Sequence, residues 1–516
     1  MSSDKPNILF ILADQHNAKV LGHAGHANVK TPNLDRLAAA GVRFENAIVQ
    51  NPICTPSRTC FLSGQYCHNH GYYGLSGPNP NGLPSIFSHF RQHGYRTGAA
   101  GKIHCPEYWV EDATDMFHET CDCSIGGRSR AYLDFLGDRE DLEDHLAMRD
   151  LGPAGEQSME GRPSPLSYEE SQEGWIASTV ITFMEQAVAD GKPFLVQASL
   201  PRPHQCTAPS EPFWSMYDGV DLELPPSVDN DPVAANKPPH FIKTVNAWRR
   251  GDWALLEPRT HEAARLRKLQ GYLGAVSQVD HAVGQMVDFL DANGLAENTI
   301  VIYVSDHGDY ACEHDIMEKA PGICSDAITR VPFIWRWPGQ FAAGHTAAEI
   351  VESVDLSNTL CRLAQVPVME TSDGQDISHL LHGETGEVHK VGVTEFAFSK
   401  SVRKGKWRYV HYPPDIFPEE HPQGFGELYD LEADPWEMSN LYGKKEHADT
   451  VRELQLDLVN WLITTTRPRT THGADATAAD NAETHSQRRW RNHSIINADN
   501  KIHPDLIRDV TWKNYI

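Results

Sequence analysis

Asn7-Ile8-Leu9-Phe10-Ile11-Leu12-Ala13 is an apolar run that stops abruptly at Asp14-Gln15-His16. A continuous run without polar alternation reads as a strand buried on both faces, as in parallel sheets covered by helices. The design returns three times. Tyr95-Arg96-Thr97-Gly98-Ala99-Ala100-Gly101 leads into Lys102-Ile103-His104, and Pro193-Phe194-Leu195-Val196-Gln197-Ala198-Ser199-Leu200 runs into Pro201-Arg202-Pro203-His204. Thr299-Ile300-Val301-Ile302-Tyr303-Val304 ends in Ser305-Asp306-His307-Gly308-Asp309. Between them, Thr31-Pro32-Asn33-Leu34-Asp35-Arg36-Leu37-Ala38 reads as a helix start, with Thr as N-cap and Pro at the first helical position. An amphipathic pattern from about Glu262 to Leu290 is expected to close near Gly294. The class is α/β. Ligands of such sheets bind beyond the carboxyl ends of the strands. Packing alone does not account for four strands that end in Asp, Lys/His, His and Asp/His, so these ends mark a site.

Composition narrows what the site can do. The chain has 516 residues, 40% hydrophobic and 22% charged, ordinary values for a globular protein with a large core domain and one or two smaller units. A net charge of −25 argues against nucleic acid as the main partner. An anionic substrate would then need a locally positive site or a bound cation. No apolar run approaches the ~20 residues of a membrane span, and Met1-Ser2-Ser3-Asp4-Lys5-Pro6 shows no signal-peptide pattern. The ten cysteines have no disulfide-scaffold or zinc-ribbon spacing, and Cys121-Asp122-Cys123 is a C-x-C pair of low specificity. These features read as free thiols in a reducing cytoplasm.

Asp14, Asp306 and His307 are candidate metal ligands from two strand ends. Oxygen-rich donors suit calcium, magnesium or manganese, and one imidazole moves the preference towards manganese. Either Asp alone could simply cap a turn. The remaining element is Asn51-Pro52-Ile53-Cys54-Thr55-Pro56-Ser57-Arg58, a Cys followed by x-Pro-Ser-Arg and a helix-forming segment. Taken alone, it could be a buried free Cys at a helix start. With the strand ends, it resembles the signature of the type I sulfatases, of the alkaline phosphatase superfamily. Thr31-Pro32-Asn33-Leu34-Asp35-Arg36-Leu37, Phe61-Leu62-Ser63-Gly64, Thr329-Arg330-Val331-Pro332-Phe333 and Glu427-Leu428-Tyr429-Asp430-Leu431 also look like sulfatase sequence, so the resemblance runs from about residue 5 to 465.

The resemblance implies an alkaline phosphatase-like fold: a large mixed, mostly parallel sheet flanked by helices, with a smaller C-terminal antiparallel-sheet subdomain. It implies that a formylglycine-generating enzyme converts Cys54 to formylglycine, whose hydrate, a geminal diol, attacks the sulfate ester. One divalent metal, usually calcium, would be held by Asp14, Gln15, residue 54, Asp306 and His307. The family's usual pairs are Asp-Asp and Asp-Asn. Here Asp14-Gln15 and Asp306-His307 resemble the choline sulfatases and phosphonate monoester hydrolases, with Gln15 ligating through its carbonyl oxygen. Arg58, one helical turn on, would hold the nucleophile's oxygen. Gly101-Lys102-Ile103-His104 matches the family's Gly-Lys-x-His element: Lys102 would neutralise the transferring group and His104 would take the second diol proton. Strand alternation is expected to put Lys102 and His104 on one face. His204 would bind a sulfate oxygen or protonate the leaving alcohol, and Lys319 would be the second sulfate-binding Lys.

Three functions are open: hydrolysis of a small or carbohydrate sulfate ester, hydrolysis of a phosphonate monoester or phosphodiester, and non-catalytic binding. The last would be expected to lose a ligand or the Cys, and none is missing. The expected domains are 1–383 (catalytic), 384–465 (antiparallel sheet and helix) and 466–516, a tail whose Trp490, Trp512 and Tyr515 suggest an arm for a homo-oligomer. Residues 150–167 and about 205–260 read as insertions over the sheet edge that carry specificity. His68, Asn69 and His70 could line the pocket or a solvated turn. His23 and His26, three residues apart, are a weak zinc pair.

Overall fold

A computed structural model describes residues 5–75, 77, 82–106, 108–120, 131–137, 161–205, 207–250, 261–319 and 323–467. Its larger sheet has eight strands: β1 (Asn7–Asp14), β2 (Val42–Ile48), β3 (Arg96–Gly101), β4 (Met116–Glu119), β5 (Phe194–Pro203), β6 (Thr299–Ser305), β7 (Phe333–Arg336) and β8 (His345–Glu352). Their order is β4-β3-β5-β1-β6-β7-β2-β8. All neighbours are parallel except β7, which is antiparallel to both β6 and β2. The fold is therefore the mixed, mostly parallel one.

Every residue of β1 is buried, and its period-2 alternation divides the core. Ile8, Phe10 and Leu12 join one apolar cluster with Phe61, Leu62, Phe87 and Leu360. Leu9, Ile11 and Ala13 join another with Ile176, Val180, Val283 and Met286. The first face is covered by helices Cys54–Ser63, Ile86–Gln92 and Asp355–Leu363, the second by helices Gln172–Ala189 and His261–Ala292. The last of these matches the expected amphipathic segment, with Gly294 beyond it at φ +67°. Thr31 precedes helix Pro32–Ala39 but makes no side-chain cap bond. Its hydroxyl instead binds Asp35 and accepts from the Gly22 N–H.

A second, four-stranded antiparallel sheet, ordered β12-β11-β10-β9, is built from β9 (Gly392–Glu395), β10 (Lys400–Lys404), β11 (Trp407–His411) and β12 (Gly426–Asp430). Helix Ala448–Thr465 follows it. Cys121, Cys123, residues 150–160, 206 and 251–260, and the tail from residue 468 lie outside the described residues. No described helix is long and apolar enough to cross a membrane.

Candidate active site

The sheet order makes the four polar strand ends neighbours, because β3, β5, β1 and β6 are adjacent and parallel. Asp14 leaves β1, Lys102 and His104 follow β3, His204 follows β5, and Asp306 and His307 follow β6. Cys54 is the first residue of helix Cys54–Ser63, which points its N-terminus at this edge. Its free N–H groups and dipole favour an anion there.

Asp14, Cys54, Asp306 and His307 are all buried, and each offers a ligand atom within 4.8 Å of the others. The His307 Nδ1 sits 3.0 Å from the Gly308 carbonyl and donates to it, leaving the Nε2 lone pair 3.2 Å from Cys54 Sγ. Gln15 contributes its carboxamide oxygen on the Lys319 side, 2.9 Å from Nζ. Two carboxylates and an imidazole nitrogen beside residue 54 suit a hard or borderline divalent cation.

Arg58 does not reach Cys54 by a hydrogen bond. Its Nη2 lies 2.9 Å from Asp14 Oδ2 and its Nε 2.8 Å from Asp306 Oδ2, and Nη1 donates to the Lys102 carbonyl and to Ser199 Oγ. It ties together the two acids and the β3 loop. Lys102 bonds Asp14 Oδ2 at 2.5 Å and lies 3.9 Å from Cys54 Sγ. Lys319 approaches Sγ to 3.6 Å, Gln15 Oε1 to 2.9 Å and His204 Nε2 to 3.1 Å, which matches the three hydrogens of an ammonium. His204 donates from Nδ1 to the Gln205 carbonyl, so its Nε2 accepts from Lys319.

The strand alternation expected for Lys102 and His104 does not hold. β3 ends at Gly101, and His104 sits in the left-handed region at φ +46°. Its N–H bonds Glu119, no hydrogen bond joins it to Cys54, and its buried Nδ1 has no hydrogen-bond partner.

Charge follows geometry. Burial and Asp14 raise the Cys54 thiol, but Lys102, Lys319 and His307 outweigh them and bring it down to about 5. Burial also opposes ionisation of Asp14, yet Lys102, His204, Arg58 and His307 hold it well below the usual carboxylate range. His307 loses proton affinity to burial and regains more from Asp306. Arg58, Lys102 and Lys319 thus set three cations against the buried acids in an acidic protein.

Sequence reasoning missed Asp309 and Glu318. Their carboxylates accept from Gln15 Nε2 at 2.6 and 3.0 Å, and both are pushed up by burial, Glu318 to about 7. Adjacency to His307 and Lys319 was the available signal; their burial was not legible. The other histidine candidates lie elsewhere. His68 pairs with Glu395, and Asn69 bonds Asp373. His23 pairs with Asp35, and His26 Nδ1 accepts backbone N–H groups from Asn28 and Val29. Cys60, Cys67 and His70 form a second buried cluster. There, the Tyr72 N–H occupies His70 Nδ1, so Nε2 carries its proton towards Cys60 Sγ, 3.2 Å away, and is not a free metal donor.

The insertions brace this site. Arg162 and Ser164 donate from their backbones to the Thr207 and Pro209 carbonyls. Ser227, Asp229 and Arg249 bond the Glu313–Asp315 turn that precedes Lys319.

A family model described as "Sulfatase" matches residues 6–366, and one for the C-terminal part of N-sulphoglucosamine sulphohydrolase matches residues 313–463. The chain belongs to the sulfatase family and, with it, to the sulfuric ester hydrolases. Among its relatives, an ulvan-active sulfatase of Formosa agariphila is 28% identical over 88% of this chain and 80% of that protein. An arylsulfatase of Clostridium perfringens is 27% identical over 89% and 94%, and a choline-sulfatase of Rhizobium meliloti 26% identical over 86% and 83%. The phosphonate monoester hydrolase of Agrobacterium radiobacter shares the fold, with a TM-score of 0.74 at 21% identity over 89% of this chain and 96% of that one. A protein solved with its substrate D-glucosamine-2-N,6-O-disulfate does so at TM-score 0.70 and 21% identity, over 91% and 100%.

Proposed function

We propose that this enzyme hydrolyses the sulfate monoester of a small molecule or carbohydrate, with Cys54 matured to formylglycine and one divalent metal, calcium first, held by Asp14, Gln15, Asp306, His307 and residue 54. The observation that carries it is the position of Cys54: first residue of a helix, between two lysines, within reach of two buried carboxylates and an imidazole. When bound, the metal supplies positive charge that favours the ionised form of a hydroxyl at residue 54. The hydrated aldehyde supplies two hydroxyls there, where Ser would supply one.

The chain's own groups do the rest. Lys102 and Lys319 face residue 54 and neutralise charge growing on the sulfuryl oxygens, where preorganised cations are most effective. Lys319, backed by the His204 Nε2 lone pair, holds a proton beside the leaving oxygen. His104, by the family's Gly-Lys-x-His element, is the base that takes a proton from residue 54; its buried Nδ1 has no hydrogen-bond partner. Arg58 keeps Asp14 and Asp306 fixed. The names of the relatives, ulvan-active, N-acetylglucosamine-6-O- and N-acetylgalactosamine-6-O-sulfatase among them, favour a sulfated sugar. The buried thiols of Cys54, Cys60, Cys67, Cys312, Cys324 and Cys361 suit a reducing compartment.

The test is mass analysis of the peptide carrying residue 54 in a preparation that turns over an aryl sulfate. An aldehyde at residue 54, in proportion to activity, is expected. Full activity with an intact thiol would sink the proposal. The second reading, phosphonate monoester hydrolysis, draws on Gln15 and His307 in place of the family's usual Asp and Asn.

A further inference from the structure

Gln15 is held at more points than a metal ligand needs. Its backbone is left-handed at φ +68°, with the N–H bonded to Asp306 Oδ1 at 3.1 Å and the carbonyl accepting from the Tyr272 hydroxyl at 2.9 Å. Its carboxamide is equally fixed. Nε2 donates to Asp309 Oδ2 at 2.6 Å and Glu318 Oε1 at 3.0 Å, while Oε1 accepts from Lys319 Nζ at 2.9 Å. Gln15, Asp309 and Glu318 are each at most 2% exposed.

The two ends of a carboxamide have nearly the same shape, so its orientation is decided by partners. Turned over, the amide would set its oxygen against two carboxyl groups and its NH2 against an ammonium. All three contacts would be repulsive in a site without water to screen them. The observed orientation makes all three attractive. Asp309 is itself anchored, because its Oδ1 accepts from the Ala311 N–H at 2.6 Å.

We propose that Asp309 and Glu318 are positioning residues of this hydrolase: they hold the Gln15 carboxamide so that only its oxygen faces residue 54 and the metal. The inference rests on the metal reading above. It also accounts for Gln at this position. An acid there would be a third buried carboxyl in contact with two others, whereas a neutral amide uses both as acceptors and leaves the centre one charge more positive towards an anionic ester. Groups that orient metal ligands typically change affinity by ~10–100-fold when removed.

The experiment is calorimetric titration of chelator-stripped, full-length protein with calcium alone, and with manganese alone, alongside melting curves. Glu318→Leu removes the acceptor and is expected to weaken calcium binding at least ~10-fold, and Glu318→Gln, which keeps an oxygen there, recovers most of that loss. Gln15→Glu lowers Tm, and the exchanged pair Gln15→Glu/Glu318→Gln recovers part of the loss, because the hydrogen bond to position 318 re-forms with donor and acceptor reversed while the contact with Asp309 stays unfavourable. A folding defect alone would not be relieved by the exchange. Calcium affinity in Glu318→Leu within ~2-fold of wild type overturns the clamp. So does an exchanged pair no better than Gln15→Glu, or wild-type protein that binds neither ion. Failure of the activity reading looks different: calcium binds with the expected variant series, but no aryl sulfate is hydrolysed.

Discussion

Replacing Arg58 by Met keeps most of the side-chain volume and removes the charge that joins the two buried acids. Asp14 retains Lys102 at 2.5 Å, but Asp306 loses its guanidinium partner at 2.8 Å and keeps backbone N–H donors from Gln15 and His307, with the His307 ring 3.7 Å away. One buried carboxylate is thus left undercompensated, a change that costs about 3–5 kcal/mol. With an unfolding entropy of ~2.1 cal/mol/K per residue over the roughly 410 described residues, ~1 kcal/mol corresponds to ~1.2 °C, so Tm should fall by ~4–6 °C. The assay is thermal unfolding of chelator-treated wild type and Arg58→Met, repeated with saturating calcium. Calcium supplies the missing counter-charge, so the gap should narrow. A fall below ~1 °C, or a gap that calcium leaves unchanged, would refute the electrostatic account and leave Arg58 as packing.

Lys319→Met removes the ammonium shared by Cys54, Gln15 and His204 and should lower kcat/KM for an aryl sulfate by ~10²–10³-fold; a loss under ~5-fold would take Lys319 out of the site's chemistry. Chelation should abolish turnover, and calcium or manganese should restore it; full activity in chelator would remove the metal from the account. His389 gives the pH prediction. Burial lowers its proton affinity, but Asp355 and Glu352 outweigh this and lift it to about 9, with Nε2 2.9 Å from Asp355. A folded-state value above the unfolded 6.5 means stability that is full below about pH 6.5 and lost as pH rises through about 9. Relative to His389→Gln, wild type should be more stable by ~2–3 kcal/mol at pH 6 and by much less at pH 9.5. A difference independent of pH would show that the imidazole is neutral.

What the sequence made legible is what local pattern encodes. The apolar runs of β1, β5 and β6 and their polar ends could be read directly, because a strand buried on both faces has no alternation to confuse. Cys54 at a helix start was legible from Pro56 and the residues that follow. β10 was not: Lys400-Ser401-Val402-Arg403-Lys404 is mostly charged, and it is a strand because β9 and β11 pair with it on both sides. Nor was the pairing of Arg58 with both acids, which depends on Asp14 and Asp306 lying side by side at the ends of β1 and β6. Asp309 and Glu318 look like ordinary polar residues until folding buries both against one amide. The residues around His104 look extended, yet the strand stops at Gly101, where the Ser199 carbonyl would lie 1.9 Å from an added Cβ and φ is +105°.

The most direct test of the central claim is a pair of kcat/KM values, for an aryl sulfate and an aryl phosphonate monoester, on one metal-loaded preparation with Cys54→Ala alongside. The account predicts faster sulfate turnover, lost in Cys54→Ala. Faster phosphonate turnover would contradict it and mean that Gln15 and His307 define the chemistry.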